Sequence, residues 1–190
     1  MPASDLVTGE DGRARCRWAA STPDYQRYHD DEWGRPVQGS DALYERLCLE
    51  AFQSGLSWLT ILRKREHFRA AFAGFEIAAV AGFGSEDVER LMNDTGIVRN
   101  RAKIEATIAN ARAAAAVDDL SALIWSHAPD AAAGAAPRSL ADVPSHTPES
   151  TALAKALKQH GFRFVGPTTA YALMQACGLV NDHLEGCHAR

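Results

Sequence analysis

The sequence predicts an all-α fold. Apolar residues recur at i, i+3 and i+4 in one segment after another, and most of these segments are opened by a capping residue or closed by a glycine. No stretch alternates apolar and polar residues as a half-buried strand would, and no internal repeat divides the chain. With 190 residues and 46% hydrophobic content, the chain is long enough to close around one core.

Taken in order, residues 1–15 (MPASDLVTGEDGRAR) read as a disordered tail ahead of a single domain over 16–190. SDALYERLCLEAF offers Ser40 as N-cap, Asp41 in the first turn, and Leu43, Leu47 and Ala51 on one stripe. Ser54 and Gly55 break that helix, and SWLTILRKREHFRAAF begins the next. SEDVERLMNDTG starts on Ser85 with acids in its first turn and is expected to stop at Gly96. NRAKIEATIANARAAAAV has Asn100 as cap and Ile104, Ile108, Ala111 and Ala115 as its inward stripe. Residues 129–147, rich in Ala, Pro and Ser, read as a loop or insertion. Thr147 then caps PESTALAKALKQH with Pro148 at N1 and Gly161 after its end, while Pro167 opens PTTAYALMQAC, closed by Gly178. This last pair is a helix, a tight turn and a helix, whose open N–H groups suit a phosphate, although most such turns only pack.

Several classes are excluded or disfavoured. No apolar run approaches the ~20 residues of a membrane span, and the first fifteen residues lack the apolar core of a secretory signal. A cytoplasmic, reducing location is therefore expected, where four cysteines point to metal or core positions before disulfides. The net charge of −4 announces no global affinity for nucleic acid. Basic stretches at 62–69, 98–103 and 155–164 remain as local patches, or as ordinary solvated helix faces.

Two constellations carry chemistry. Cys16 and His29 near one end, with His183 and Cys187 near the other, make a Cys2His2 set suited to structural Zn2+. His188 competes with His183 as neighbour of Cys187, and the four residues could also be scattered coincidentally, as Cys48 and Cys177 are scattered in apolar helical patterns. Trp18, Trp33, Trp58, Tyr25 and Tyr28 crowd into a short stretch, which suggests either core or a lined pocket. Glu50 lies on the apolar stripe with Leu43 and Leu47, so it either binds something donor-rich or cationic or pairs internally with an Arg or a helix end.

The stretches YHDDEWG, LCLEAFQSGLSWLTILRKRE, GIVRNRAKI, ALKQHGFRFVG and MQACGLVNDH make the chain resemble the DNA-3-methyladenine glycosylase I family, within the helix-hairpin-helix glycosylases, from Cys16 to Cys187. The resemblance implies a helical bundle in which one structural Zn2+ on Cys16, His29, His183 and Cys187 joins the N- and C-terminal segments. It implies a base-binding, catalytic carboxylate at Glu50 and a substrate pocket of Trp18, Tyr25, Tyr28 and Trp58. DNA contacts fall on Gly55 and Leu56, with Leu56 filling the space of an extruded base, and on Val165, Gly166 and Thr168 of the hairpin. The implied reaction is monofunctional hydrolysis of the N-glycosidic bond of 3-methyladenine in alkylated double-stranded DNA, releasing the free base, by a monomer that acts in base excision repair and uses no membrane. Against the wider superfamily, Thr168 replaces a nucleophilic lysine, Asn181 stands where an activating Asp is usual with Asp182 out of register, and Phe164 replaces the first hairpin glycine. A non-catalytic DNA-binding module and a zinc hydrolase are the rival readings.

Overall fold

A computed structural model describes residues 5–130 and 135–190. The chain opens with a short antiparallel hairpin, β1 (Leu6–Thr8) and β2 (Ala14–Cys16), with Leu6 opposite Cys16. This corrects both the expected tail, for residues 5–15, and the expected absence of strands; residues 1–4 lie outside the described residues. The cause is Arg15, only 3% exposed, whose guanidinium binds Asp11 at 2.6 and 2.8 Å and Asp30 at 2.8 and 3.0 Å. A buried guanidinium needs paired carboxylates, and here they close the hairpin and fasten it to the next helix.

That helix, α1 (Pro23–Asp31), was not separately expected; Thr22 caps it by accepting from Tyr25 N, and Pro23 sits at its start. Helix α2 (Ser40–Gln53) follows, with Gly39 (φ +91°) as N-cap in place of the expected Ser40, whose hydroxyl instead accepts from Ser121 N at 3.4 Å. Ser57 caps α3 (Trp58–Ala71). Short α4 (Ile77–Ala81) precedes α5 (Ser85–Asn93), which ends before Gly96. Gly96 is needed for closeness, because a Cβ there would stand 2.9 Å from His67 Cδ2.

Asn100 caps α6 (Arg101–Ala115) as expected, and Ile104, Ile108 and Ala111 are buried. Ala115, expected on the inward stripe, is exposed, and Ala114 beside it is buried. After α7 (Leu120–Trp125), the described part of 129–147 holds a single 3-10 turn, Leu140–Asp142, while 131–134 lie outside the described residues. Helices α8 (Pro148–Gln159) and α9 (Pro167–Ala176) form the terminal hairpin with Thr147 and Pro148 in their expected roles.

Helix α2 is the axis on which the others pack: it touches α3, α4, α6, α7 and α9. Leu43, Tyr44 and every residue from Leu47 to Phe52 are buried, the burial of a helix surrounded on all sides. Phe52 meets Phe68 at a ring separation of 4.6 Å, and Phe72 and Phe75 extend the same cluster. Beyond α9, Gly178 takes φ +73° and lies so close to Arg35 and Pro36 that a Cβ would approach their backbone to 2.6 Å. That contact locks the end of α9 against the segment leading to α2.

The turn between α8 and α9 is held by one side chain. Asn110, buried on α6, accepts from Arg163 N at 2.7 Å and donates to Arg163 O at 3.1 Å, imitating a strand pairing. Phe164 beside it adopts φ +57°, the left-handed conformation that glycine takes most readily. Asn110→Ala should leave a buried N–H and C=O unpaired and cost about 2–3 kcal/mol, measured as a lower midpoint in chemical denaturation without a change of slope.

Candidate functional site

A cavity of about 250 Å³ opens between α1, α2, α3 and α9. Trp18, Tyr25, Tyr28, Trp33, Glu50, Gln53, Trp58, Ala172 and Gln175 line it. All four aromatic residues and the carboxylate singled out from the sequence therefore meet in one place. Tyr28 and Trp58 lie 5.4 Å apart, Trp18 stands edge-on to Tyr25 at 5.6 Å and to Trp33 at 5.1 Å, and Tyr25 is fixed by Leu59 N donating to its hydroxyl at 3.0 Å.

Glu50 is 6% exposed and has no hydrogen-bond partner among the described residues. Internal pairing with an Arg is not its role: Arg46, one turn earlier, donates to Glu32 at 3.0 Å, and Arg65 binds the same carboxylate at 2.6 and 2.8 Å. Burial pushes the Glu50 carboxyl up to about 8, against a weaker opposing pull from Arg46, so its surroundings favour the neutral acid. Trp58 Nε1 is buried without an acceptor among the described residues. An unpaired acid and an unpaired N–H in one aromatic cavity are groups waiting for a polar, flat ligand.

Behind this cavity the two ends of the chain meet. Cys16, His29, His183 and Cys187 are all buried, and their ligand atoms lie within 4.8 Å of one another. His29 Nε2 is 3.2 Å from His183 Nδ1 and 3.4 Å from Cys187 Sγ, which is 3.7 Å from His183 Nδ1. A tetrahedral zinc with bonds of roughly 2.0 Å to N and 2.3 Å to S would set its ligands roughly 3.3 to 3.8 Å apart. Each outward ring nitrogen has an acceptor, Asp30 Oδ1 for His29 at 2.8 Å and Trp33 O for His183 at 3.0 Å, the arrangement that orients metal-binding imidazoles. Burial lowers His183 to about 4 and pushes the Cys16 thiol up to about 12, so the imidazole lone pair is free and an ion would have to displace the thiol proton. All four cysteines are free thiols. His188 does not compete for this centre: it turns to Asp30 Oδ1 at 2.9 Å.

The two sites share a wall. Trp18 packs edge-on against His29 at 5.2 Å and Trp33 against His183 at 4.7 Å, so cavity aromatics and cluster imidazoles are in direct contact. Gly34, at φ +76°, allows this approach, since a Cβ there would come within 3.1 Å of His183 Nε2.

The residues expected to meet DNA sit apart from the cavity floor. Leu56 is 41% exposed in the turn between α2 and α3, next to Gly55 at φ +81°. Gly166 is the N-cap of α9 and Thr168 is exposed in its first turn, but Val165 is buried and offers only backbone. Lys155, Lys158 and Arg163 around this hairpin are exposed and form no ion pair among the described residues, whereas Arg63, Arg65, Arg69 and Arg101 of the other basic stretches are paired with carboxylates. Asn181 Oδ1 accepts from His183 N, and Asp182 Oδ2 accepts from Tyr171 at 2.6 Å and Gln175 at 2.8 Å. Trp33, Gln53, Ala172 and Gln175 complete the cavity but were not assigned to it from sequence. Trp33 alone carried a signal, in its place among the clustered aromatics.

Residues 18–190 match the methyladenine glycosylase family model. The chain is 48% identical over 180 residues to DNA-3-methyladenine glycosylase 1 of Escherichia coli, covering 91% of this chain and 95% of the relative. It is 44% identical over 177 residues to a DNA-3-methyladenine glycosylase of Haemophilus influenzae, covering 91% and 96%. A crystal structure of a 3-methyladenine DNA glycosylase I superposes with a TM-score of 0.89 at 48% identity, over 93% of this chain and 99% of that one. The Staphylococcus aureus enzyme, studied for its recognition of 3-methyladenine, gives a TM-score of 0.86 at 36% identity, over 92% and 95%. The chain belongs to the methyladenine glycosylase family.

Proposed function

We propose that this chain hydrolyses the N-glycosidic bond of 3-methyladenine in alkylated duplex DNA, and that it does so without a lyase step. The supporting observation is Glu50: a carboxyl buried without a partner, kept neutral by its surroundings, inside an aromatic cavity of one-base size. The relatives named for this activity agree with it.

Methylation at N3 leaves the nucleobase cationic while it is bound to the sugar. A flipped base sandwiched by Trp58 and the other rings brings the countercharge that Glu50 lacks, so the carboxyl releases its proton to solvent as the base enters and the ion pair forms in a water-poor site. Neutral adenine offers no such charge, and ionising Glu50 beside it goes unrewarded. Water then adds to C1′ and releases one proton to solvent as the C1′–N9 bond breaks, and the electron pair of that bond neutralises the departing base. Because the leaving group is already activated, little acid catalysis is required and selection rests on binding. Leu56, exposed at the cavity's edge, fills the gap in the duplex, and the hairpin N–H groups of α9 with Lys155, Lys158 and Arg163 hold the backbone.

The cluster of Cys16, His29, His183 and Cys187 fits Zn2+, and with four protein ligands it leaves no position for a metal-bound water. Its contribution is structural: it ties the chain ends behind Trp18 and Trp33. The direct test of the activity is incubation with methylated DNA and identification of the released bases; release of 3-methyladenine supports the reading, and tight binding to duplex with no base released would favour a non-catalytic module.

Elemental analysis should return one zinc per chain, and Cys16→Ala or His183→Ala should lose on the order of 3–5 kcal/mol of stability, because ligand loss removes binding energy coupled to folding. With Thr168 in the place of the superfamily lysine, borohydride should trap no covalent adduct with alkylated DNA; an adduct would reveal another amine as nucleophile. Glu50→Gln should weaken selection of the alkylated base by about 1.5–3 kcal/mol, read as the ratio of kcat/KM for methylated over normal adenine. Stability should move the other way. Folding raises the Glu50 pKa from 4.5 to about 8, so the wild-type penalty is absent at low pH and complete above pH 8. The Gln variant should therefore gain on the wild type as pH rises through that window, as followed by denaturation at several pH values.

A further inference from the structure

At the C-terminal end of α2, where the Glu50 helix gives way to the turn carrying Leu56, the final carbonyls have lost their helical partners. Gln53 O accepts from Leu56 N at 2.6 Å within the turn. The carbonyls on either side are taken by one side chain from another helix: Lys103 Nζ, on α6, donates to Phe52 O at 2.9 Å and to Ser54 O at 2.6 Å. Lys103 is 8% exposed, and no carboxylate is among its hydrogen-bond partners in the described residues. Burying an ammonium without a counterion is costly, and the favourable end of the helix dipole with two carbonyls offsets only part of that cost. A charge kept there at such a cost calls for a role beyond filling space.

Lys103 is itself held firmly. Its own N–H is bound by the Asn100 cap, and its carbonyl accepts from Thr107 Oγ1 at 3.0 Å. The turn it grips has little else to define it: Gly55 takes φ +81°, a Cβ there would meet nothing within 4 Å, and Leu56 projects into solvent. We propose that Lys103 is a positioning residue for base extrusion, which fixes the turn Ser54–Gly55–Leu56 rigidly enough for Leu56 to enter the duplex and hold the gap open. The ammonium acts through Leu56 and touches neither the base nor its cavity, whose lining residues do not include it. It converts a mobile glycine turn into a fixed wedge, so the ordering of that turn is complete before DNA arrives.

This inference rests on the proposed glycosylase reading, and the measurements separate the two. Wild-type release of 3-methyladenine from methylated duplex tests the reading itself. For Lys103, the probes are a duplex containing a stable abasic-site analogue, which reports on gap filling, and free 3-methyladenine, which reports on the cavity. Lys103→Met should weaken binding to the abasic duplex by about tenfold, the scale of a lost charged hydrogen bond, while affinity for the free base stays within about twofold. In a Leu56→Ala background the same substitution should have no further effect on the abasic duplex. Lys103→Arg, which keeps the charge, should restore most of the loss. Equal losses for duplex and free base, or an undiminished Lys103→Met effect when Leu56 is already absent, would overturn the proposal and leave Lys103 as a support of α2 alone. If Lys103→Met does not fold, the comparison is carried by Lys103→Gln, whose shorter neutral amide weakens the grip on the two carbonyls: loss confined to the abasic duplex supports the proposal, and no change in either probe, or equal loss in both, overturns it.

Discussion

The meeting of the two chain ends is the constraint from which the site follows. His29 and His183, 154 positions apart in the sequence, come to 3.2 Å of each other with Cys16 and Cys187 beside them. Their outward nitrogens engage Asp30 and the carbonyl of Trp33, and Trp18 and Trp33 lean on the two rings. Two walls of the cavity are therefore backed by the cluster. The N-terminal hairpin reinforces the same point through Arg15, whose guanidinium binds Asp30, the residue that orients His29. Leu6 of that hairpin packs with Leu184 and the cluster cysteines.

Helix α2 adds Glu50 and Gln53 to the lining, and its burial explains the chemistry. From Leu47 to Phe52 every residue of α2 is buried, so this half of the helix has no wet face on which to place a carboxylate. Glu50 lies beside the cavity, and the low-dielectric surroundings that push its carboxyl up to about 8 are the basis of the selectivity proposed for it. Arg46 does not remove the tension, since Glu32 has already claimed it together with Arg65. Unpaired polar groups usually weaken a fold; here Glu50 and Trp58, whose Nε1 has no acceptor among the described residues, both line the cavity.

Charge is distributed with a similar economy. Most of the basic residues between 62 and 103 are tied to carboxylates or to backbone carbonyls, whereas Lys155, Lys158 and Arg163 around the α8–α9 hairpin form no ion pair among the described residues. That side also bears Phe164, 42% exposed and held at positive φ. An overall charge of −4 is thus compatible with a local surface for a polyanion.

Much of this was legible in the sequence for physical reasons. Helical periodicity and local capping depend on neighbours a few residues away, so Asn100, Thr147, Pro148, Gly161 and the stripe of α2 could be read directly. Cysteine and histidine announce their chemistry by type, and clustered aromatics with an inward Glu50 announce a cavity. What depended on distant partners could not be read. Arg15 orders the first strands through Asp11 and Asp30; Ser40 yields the cap to Gly39 because its hydroxyl serves Ser121; helices as short as α4 and α7 have too few turns to show a period. The place of Gln175 in the cavity, the turn of His188 to Asp30 and the grip of Lys103 on the turn before Leu56 were all decided by tertiary structure, because each is a contact between segments whose separation in sequence carries no information about their meeting in space.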